Sequence, residues 1–260
     1  NTTIDAGNSG YGVICFVSTN VDVITSGNTE IKGLAAFYVK GDALDVQLDL
    51  GQGKYIGKNI YSGEGNTFGT VVLEGHNTTV KMIGTKPTIQ AIATGTSPQA
   101  AFLVLGENNK ISIESETAQI EPQGENAYWA MIDADVAAST IIKDNVTQLL
   151  PAAEADGFQF MSLEEAIRYA KNNTVKVVNN NTVAAPIIVN KNLTLNLSGK
   201  AITATENVYP VVRIQNDANV TVTDLSEGAN GSITNGDYVF TLGEGATDEA
   251  SSGNLVLNGG

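Results

Sequence analysis

The 260-residue sequence contains very few of the residues that build several common functional sites. Its single cysteine, Cys15, excludes an internal disulfide, and the apolar residues on both sides predict a buried, unreactive thiol. Only two of the 14 basic residues are arginines, Arg168 and Arg213, against 28 acidic residues and a net charge of −14. Without a basic stripe to replace the counterions of a nucleic acid, a nucleic-acid partner is excluded. The same charge disfavours an anionic polysaccharide unless calcium bridges the two.

Several longer patterns are also absent from the sequence. No apolar run reaches the length of a membrane span, so no span is predicted within this segment. There is no Gly-rich phosphate loop, no cysteine cluster and no heptad repeat, which argues against a nucleotide site, a zinc site and a coiled coil.

A short apolar cassette, by contrast, recurs through the chain. Ala36–Asp42 returns as Ala101–Glu107 with four of its seven residues identical, and each copy is followed by a tight corner and a second apolar stretch. Other segments alternate β-branched or apolar residues with polar ones, as in Asn192–Leu197, which is typical of strands with one buried face. Repeated units with irregular spacers predict a solenoid.

The spacing of the cassettes favours an all-β fold, a parallel β-helix. One apolar residue near the end of each first strand recurs at intervals that fit coils of about 22 residues, with two or three strands and occasional loop insertions. Gly, Asn and Asp at the corners tolerate left-handed backbone. A β-sandwich also offers many short strands, but the repeated strand–corner–strand order favours the solenoid. The recurring residues are Val17, Val39, Leu73, Val104, Ile132, Ile188, Val212 and Leu242.

One segment departs from the cassette pattern. Residues 162–172 predict a short α-helix, with Ser162 as N-cap and Glu165 at the third helical position. A strand at Thr174–Val178 and the alternating run Ile187–Thr203 follow. The SLEEAI, TVKVV and IIVNKNLTLNLSGKAIT stretches resemble the opening of right-handed β-helices of the pectin-lyase-like superfamily, and especially repeats of large bacterial surface proteins. The resemblance implies a right-handed coil whose end the helix caps.

This resemblance covers residues 157–257 only, which indicates that the chain consists of two parts. Because a capping helix opens a new coil, we expect a β-helical unit at 1–150, a linker at 151–161 and a second β-helical unit at 162–260. One continuous coil with the helix as an insertion is the alternative. The sequence begins without methionine or signal peptide and stops directly after a strand, so we expect a truncated second unit and a longer parent protein.

Two pairs of aspartates are the candidate catalytic or calcium-binding residues. Asp45 and Asp49 fall on one face of a predicted strand, and Asp133 and Asp135 do the same. The resemblance implies lyases that hold calcium with acidic residues beside a basic proton acceptor, or hydrolases with clustered aspartates. Either pair would bind calcium or act in acid–base catalysis. The interpretation that we favour is that aspartates on a solvated face keep a strand soluble. No other metal or cofactor site is indicated.

Aromatic and basic side chains give further candidates. Tyr128 and Trp129 are adjacent aromatics that would stack on sugar rings, although a tryptophan in an apolar run is more often part of the core. His76 lies in a corner, where we expect a turn residue with positive φ rather than a metal ligand or triad member. We expect Arg213 to pair with an acidic residue rather than to abstract a proton.

Together these patterns favour a non-catalytic, extracellular β-helical scaffold. It would be an adhesin-like module of a bacterial cell-surface or secreted protein that presents loops or a flat face to glycans or to a protein. We expect the binding surface in the loops that lengthen the spacing after Val39, Leu73 and Leu242. A polysaccharide lyase or glycoside hydrolase of the same fold is the alternative, with the aspartate pairs at its site. A trimeric fibre like a phage tail spike is another.

Overall fold

A computed structural model confirms that the fold is nearly all-β. Strands account for 51% of the chain and helix for 4%, and parallel strands stack into a β-solenoid of about eight coils. The chain divides into two compact units, Asn1–Leu150 (unit 1) and Pro151–Gly260 (unit 2). The structure describes residues 2–7, 12–63, 65–234, 238–243 and 253–258.

Unit 1 contains five coils of three short strands each. In chain order the strands are β1 (Thr2–Asp5), β2 (Ile14–Phe16), β3 (Val21–Thr25), β4 (Thr29–Gly33), β5 (Phe37–Val39), β6 (Val46–Leu50), β7 (Gly53–Asn59), β8 (Phe68–Leu73), β9 (Thr79–Met82), β10 (Pro87–Ala93), β11 (Gln99–Val104), β12 (Lys110–Ile113), β13 (Gln119–Gln123), β14 (Ala127–Asp133), β15 (Ile141–Asp144) and β16 (Thr147–Leu149). A single 3₁₀ turn at Ala137–Ser139 separates β14 from β15.

Each coil adds one strand to each of three parallel sheets. Sheet 1 comprises β1, β4, β7, β10 and β13, and sheet 2 comprises β2, β5, β8, β11 and β14. Sheet 3 comprises β3, β6, β9, β12 and β15, with β16 added antiparallel to β15. The three sheets enclose the apolar core of unit 1, because alternate residues of each strand point inward.

Equivalent residues of successive coils stack on one another in that core. In sheet 2, Phe16 pairs with Val39, Val39 with Leu73, Leu73 with Val104 and Val104 with Ile132. All five side chains are buried, so each coil shields the apolar surface of the next from water, at roughly 25 cal/mol per Å². The anchors predicted from Val39 to Ile132 are therefore confirmed.

One other prediction for unit 1 is wrong, because Val17 follows β2 and is 65% exposed, and Phe16 takes its place in the ladder.

The longer spacing after Val39 includes a loop, as expected. Residues 60–63 and 65–67, between β7 and β8, form no strand and are mostly exposed. The spacing after Val39 and that after Leu73 are also lengthened by β7 and β10, which have seven residues each against five in β4. The spacing after Leu242 lies largely outside the described residues.

Most non-glycine residues with left-handed backbone conformation are asparagine or aspartate. Of 13 non-glycine residues with positive φ in the described chain, ten are Asn or Asp, because their short side chains tolerate this region. Asn77 and Asn108 confirm this in two predicted corners. His76 does not have positive φ, so that prediction is wrong, and its neighbour Asn77 takes the conformation instead, with φ 56°. Lys86, with φ 52°, is one of three exceptions to the Asn/Asp rule.

Unit 2 begins with a β-hairpin and a helix and continues with parallel strands. Its elements are β17 (Ala153–Ala155), β18 (Phe158–Phe160), α1 (Leu163–Tyr169), β19 (Thr174–Val177), β20 (Asn181–Val183), β21 (Ile187–Val189), β22 (Leu193–Asn196), β23 (Ala201–Ala204), β24 (Val212–Ile214), β25 (Asn219–Thr223), β26 (Ser232–Thr234), β27 (Phe240–Leu242) and β28 (Asn254–Asn258).

The parallel strands of unit 2 again fall into three ladders. Sheet 4 comprises β19, β22, β25 and β28, sheet 5 comprises β20, β23 and β26, and sheet 6 comprises β21, β24 and β27. The antiparallel strands β17 and β18 occupy residues 151–161, which we assigned to a linker. In sheet 6, Val212 pairs with Ile187 and Phe240. The predicted anchors Ile188 and Leu242 are therefore out of register, and both are substantially exposed.

Helix α1 is present but shorter than the sequence predicts. Ser162 is the N-cap, because its Oγ accepts a hydrogen bond from the Glu165 N–H at 3.2 Å. At the other end, Lys191 Nζ donates to the carbonyls of Ala170 at 2.7 Å and Arg168 at 3.3 Å. Lys191 thus supplies a cation where the helix dipole favours one, and partial burial lowers the pKa of its ammonium.

Candidate functional site

Sheet 1 presents a ladder of polar side chains on its outer face. Thr3, Glu30, Lys54, Thr88 and Gln119 occupy the same register position in β1, β4, β7, β10 and β13. The residue that follows in the central strands is a buried core residue, so the ladder itself faces outward. Because neighbouring strands lie about 4.8 Å apart, the ladder spans roughly 19 Å across the five coils.

A second polar row runs beside the first. Asn28, Gln52 and Lys86 directly precede β4, β7 and β10, and all three line the same groove as the ladder. Gln52 Nε2 donates to Asn28 Oδ1 at 2.6 Å, which links two successive coils. The Lys86 N–H donates to Thr117 Oγ1 at 2.9 Å and fixes the turn into β10.

The two rows border a groove of about 490 Å³. Its floor includes Thr88, which is 3% exposed, and Gly53. A Cβ atom at Gly53 would lie 2.6 Å from the Thr29 carbonyl oxygen, so glycine is the residue that fits there. The groove is lined by Thr3, Asn28, Thr29, Glu30, Gln52, Gly53, Lys54, Lys86, Thr88, Gln119 and Glu121.

The carboxylates of the groove are held by neighbouring protein groups. Lys32 Nζ lies 3.0 Å from Asp5 Oδ2 and 3.8 Å from Glu30 Oε1, and the hydrogen bond to Asp5 raises the pKa of Lys32. Glu121 Oε2 accepts a hydrogen bond from Gln90 Nε2 at 2.7 Å. Both acids of the groove are therefore engaged on the protein side.

The groove is suited to binding rather than to two-carboxylate catalysis. Glu30 and Glu121 lie on β4 and β13, which are three strand spacings or roughly 14 Å apart, with Lys54 and Thr88 between them. A retaining glycosidase holds its two carboxyl groups about 5 Å apart. Amides and hydroxyls, in contrast, both donate and accept hydrogen bonds, as the hydroxyls of a sugar do.

The structure separates the first predicted aspartate pair. Asp45 lies before β6 with φ 55°, and its N–H donates to the His76 carbonyl at 3.3 Å. Asp49 lies within β6, where its carboxylate accepts from Gln47 Nε2 at 3.1 and 3.2 Å. Because Asp45 is outside the strand, the alternation that predicted a shared face does not apply to it.

The second predicted pair forms a turn. Asp133 ends β14, and its Oδ1 accepts a hydrogen bond from the Asp135 N–H at 2.9 Å, which is how aspartate stabilises a turn. A calcium ion is coordinated by six to eight oxygen ligands. Within the described ranges, no group of three or more His, Cys, Asp or Glu side chains is placed to hold a metal ion. Calcium binding by either pair stays a prediction.

The two predicted glycan-stacking aromatics have different environments. Tyr128 is 1% exposed in β14, so it presents no ring face to a sugar. Trp129 is half-buried, and its ring lies 5.7 Å from that of Phe102 at an angle of 49°. Tyr128 is therefore a core residue, and glycan stacking by Trp129 stays a prediction.

The environments of three further residues can be compared with those predicted from the sequence. Cys15 points away from the core and is exposed, so the prediction of a buried thiol is wrong. His76 Nδ1 accepts a hydrogen bond from the Glu107 N–H at 3.1 Å and so joins two coils. Arg213 lies on β24 between two buried residues and therefore faces outward, and its pairing with an acidic residue stays a prediction.

A second, apolar groove of about 290 Å³ lies on sheet 2. Tyr38, Val72 and Leu103 are register partners there, and Tyr38 OH donates to Glu74 Oε2 at 3.1 Å. The groove is lined by Leu34, Ala35, Tyr38, Thr67, Phe68, Gly69, Val72, Leu103 and Leu105.

The polar groove lies on the strands of sheet 1, which the cassette pattern did not predict. The signal was present as polar residues at alternate positions of TEIKG and QIEPQ, each preceded by a turn. These short strands contain Gly or Pro and few apolar residues, so the cassette pattern did not include them.

Comparison with known proteins leaves the chain without an assigned family. No protein-family model, no curated protein and no solved structure matches it. Among the described residues, no helix has the length and apolar character needed to cross a membrane.

Proposed function

We propose that this chain is a non-catalytic β-helical scaffold of an extracellular bacterial surface protein, an adhesin-like module that binds glycans through the polar groove of sheet 1. The observation that carries the proposal is the register-aligned ladder of hydroxyl, amide and charged side chains along that groove. Such a row offers one hydrogen-bonding group per coil to an extended chain of sugars.

Three further features support this function. The chain resembles repeats of large bacterial surface proteins over residues 157–257. The aspartate pairs at Asp45/Asp49 and Asp133/Asp135 engage in local hydrogen bonds instead of converging on one another. The solenoid gives a stiff support on which one face is repeated from coil to coil, which is how solenoids present extended binding surfaces.

Binding to a panel of immobilised neutral and acidic polysaccharides tests the proposal. We expect retention of at least one polysaccharide, and we expect Gln119→Ala to weaken it several-fold, because one hydrogen bond contributes about 1 kcal/mol. Gln123→Ala is the matched control, since Gln123 lies on the same strand and the same face but outside the groove. It should leave retention unchanged.

Two results would contradict this function. The first is the absence of retention across the panel. The second is retention that Gln119→Ala and Gln123→Ala reduce equally, because binding would then not depend on the groove. A trimer in a mass measurement in solution would favour the tail-spike-like fibre instead.

A further inference from the structure

We propose that the groove of sheet 1 selects glycans that carry an anionic group, a carboxylate or a sulfate, and that Lys54 and Lys86 bind this group. The inference rests on the proposed glycan-binding function and adds the ligand's charge to it. It reverses the expectation from net charge, which disfavours anionic polysaccharides.

The local charge of this face differs from that of the whole chain. The five strands of sheet 1 contain three lysines and three acidic residues, and Lys86 adjoins β10. The chain as a whole has 14 basic and 28 acidic residues. At physiological ionic strength charges are screened over about 8 Å, so a ligand in the groove experiences mainly these nearby groups.

The groove lining carries two lysines and two glutamates. Glu30, the register partner of Lys54, lies 3.8 Å from Lys32, and Glu121 accepts a hydrogen bond from Gln90. In the part of the chain that the structure describes, Lys54 and Lys86 form no ion pair, and both are exposed. The preference for a carboxylate or sulfate therefore comes from direct contact with these two ammonium groups and not from a net positive charge of the groove.

The backbone at Lys86 is fixed at the edge of the groove. Lys86 has φ 52°, its N–H donates to Thr117 Oγ1 at 2.9 Å, and the residue that follows is Pro87. The Lys86 side chain therefore extends from an ordered turn that lines the groove.

Both lysines line the groove that contains Thr88 and Gln119. Thr88, on the groove floor, pairs with Lys54 on one neighbouring strand and with Gln119 on the other. Lys86 lies in the turn that leads into the strand of Thr88. This arrangement offers charge for the acidic substituent and neutral hydrogen bonds for the ring hydroxyls.

Calorimetric titration with matched sugars tests the inference on the intact chain. One pair is a uronic-acid oligosaccharide, oligomannuronate, and its carboxyl-reduced neutral form, which differ only in charge. A second pair is a dextran sulfate oligosaccharide and unmodified dextran, which tests sulfate as the source of charge. We expect tighter binding of the charged member of at least one pair, weakening as salt rises from low to high concentration.

Variants then locate the charge that matters. Lys54→Gln combined with Lys86→Asn should weaken binding of the charged sugar about tenfold, or about 1.4 kcal/mol in total, because contacts to exposed charges are individually weak. Lys58→Gln is the matched control, since Lys58 lies on β7 and the same face but outside the groove. It removes one charge and should change affinity less than twofold. Asparagine at position 86 accepts the left-handed backbone, so the melting temperature should not fall.

The outcomes separate this inference from the proposed function. Equal affinity for both members of each pair, reduced by Gln119→Ala, overturns the charge preference and leaves glycan binding in place. Equal losses in Lys58→Gln and in the double variant also overturn it, because attraction would then come from overall charge. Absence of binding to every sugar overturns both proposals.

Discussion

The carboxylate of Asp224 shows how one side chain holds neighbouring coils of unit 2 together. Its Oδ1 accepts from Ser226 Oγ at 2.6 Å, from Ser226 N at 3.0 Å and from Gly199 N at 3.0 Å, and its Oδ2 accepts from Gly231 N at 2.5 Å. The two bonds from Ser226, together with those from Gly231 and Gly199, lower the pKa of Asp224 to about 2. These donors stabilise the ionised form in the folded state only.

A loss of stability in acid is expected from this pKa. Because the folded-state pKa lies below the ordinary value of 3.8, the stabilisation is complete above about pH 4 and disappears as the pH falls toward 2. The free energy of unfolding, measured by urea denaturation from pH 5 to pH 2, should fall more steeply in the wild type than in Asp224→Asn. Asp22→Asn, at an exposed position of β3, should keep the wild-type slope. Parallel pH profiles for the wild type and Asp224→Asn would contradict the assignment.

The exposure of Cys15 leads to a second prediction at this scale. Cys15 lies on β2 with its neighbour Phe16 in the core, so its thiol faces away from the core. A thiol reagent should therefore modify the native protein at close to the rate seen in urea, as followed by mass spectrometry. Cys15→Ser should show no modification. Protection of the native thiol by orders of magnitude relative to the unfolded chain would show that Cys15 is buried.

Single residues also show where sequence patterns are ambiguous. Val13–Val17 is an uninterrupted apolar run, so alternation cannot reveal which residues face the core, and both Val17 and Cys15 were assigned to the wrong environment. The same ambiguity shifted the anchor to Ile188 in the run Ile187–Val189. Where polar residues interrupt the strand, as around Leu193 and Leu195, the inward positions were predictable.

Among the structural elements, the corners of unit 1 join one coil to the next through a buried asparagine. Asn109 is fully buried, and its Nδ2 donates to the carbonyls of Gly75 at 2.9 Å and Gly106 at 2.8 Å. Its Oδ1 accepts from the Thr78 N–H at 2.8 Å. The preceding residue, Asn108, adopts the left-handed backbone conformation. In this corner Asn108 therefore makes the turn and Asn109 provides the hydrogen bonds.

Removing this corner asparagine should destabilise unit 1. Asn109→Ala leaves three buried backbone groups without partners, and each such group costs about 1–3 kcal/mol, so the loss should be about 3 kcal/mol or more. Urea denaturation measures it. Asn66→Ala is the control, because Asn66 is exposed in a loop, and it should change stability by less than about 0.5 kcal/mol. Equal stability of the two variants would show that water replaces the Asn109 hydrogen bonds.

Elements with strong local signals were predictable, and those without were not. The cassette strands of sheets 2 and 3 have dense β-branched runs, and α1 has an N-cap and an apolar face, so both were found. The strands of sheet 1 owe their structure to pairing with the coils before and after them, because Gly53, Gly57 and Pro87 have low strand propensity. Tertiary pairing is not visible in a single strand's sequence, and the candidate groove lies on those strands.

At the scale of the whole molecule, the net charge of the chain differs from the local charge at the proposed site. The net charge of −14 keeps the chain soluble and repels other polyanions at long range. The strands of sheet 1 contain as many lysines as acidic residues, so the local charge of this face differs from the charge of the whole chain. Because charges separated by more than about 8 Å are largely screened at physiological ionic strength, the charges that line the groove affect binding there more than the net charge does.

The whole chain should bind polysaccharides without cleaving them. In the groove, Glu30 and Glu121 lie roughly 14 Å apart by strand spacing, and each is engaged by a protein neighbour. Incubation with neutral and acidic polysaccharides from pH 4 to pH 9, with and without added calcium, should release neither reducing ends nor unsaturated products beyond those of heat-denatured protein. Product that increases with protein concentration and is lost in Lys54→Gln would instead make the groove an active site, with Lys54 as the proton acceptor of a lyase.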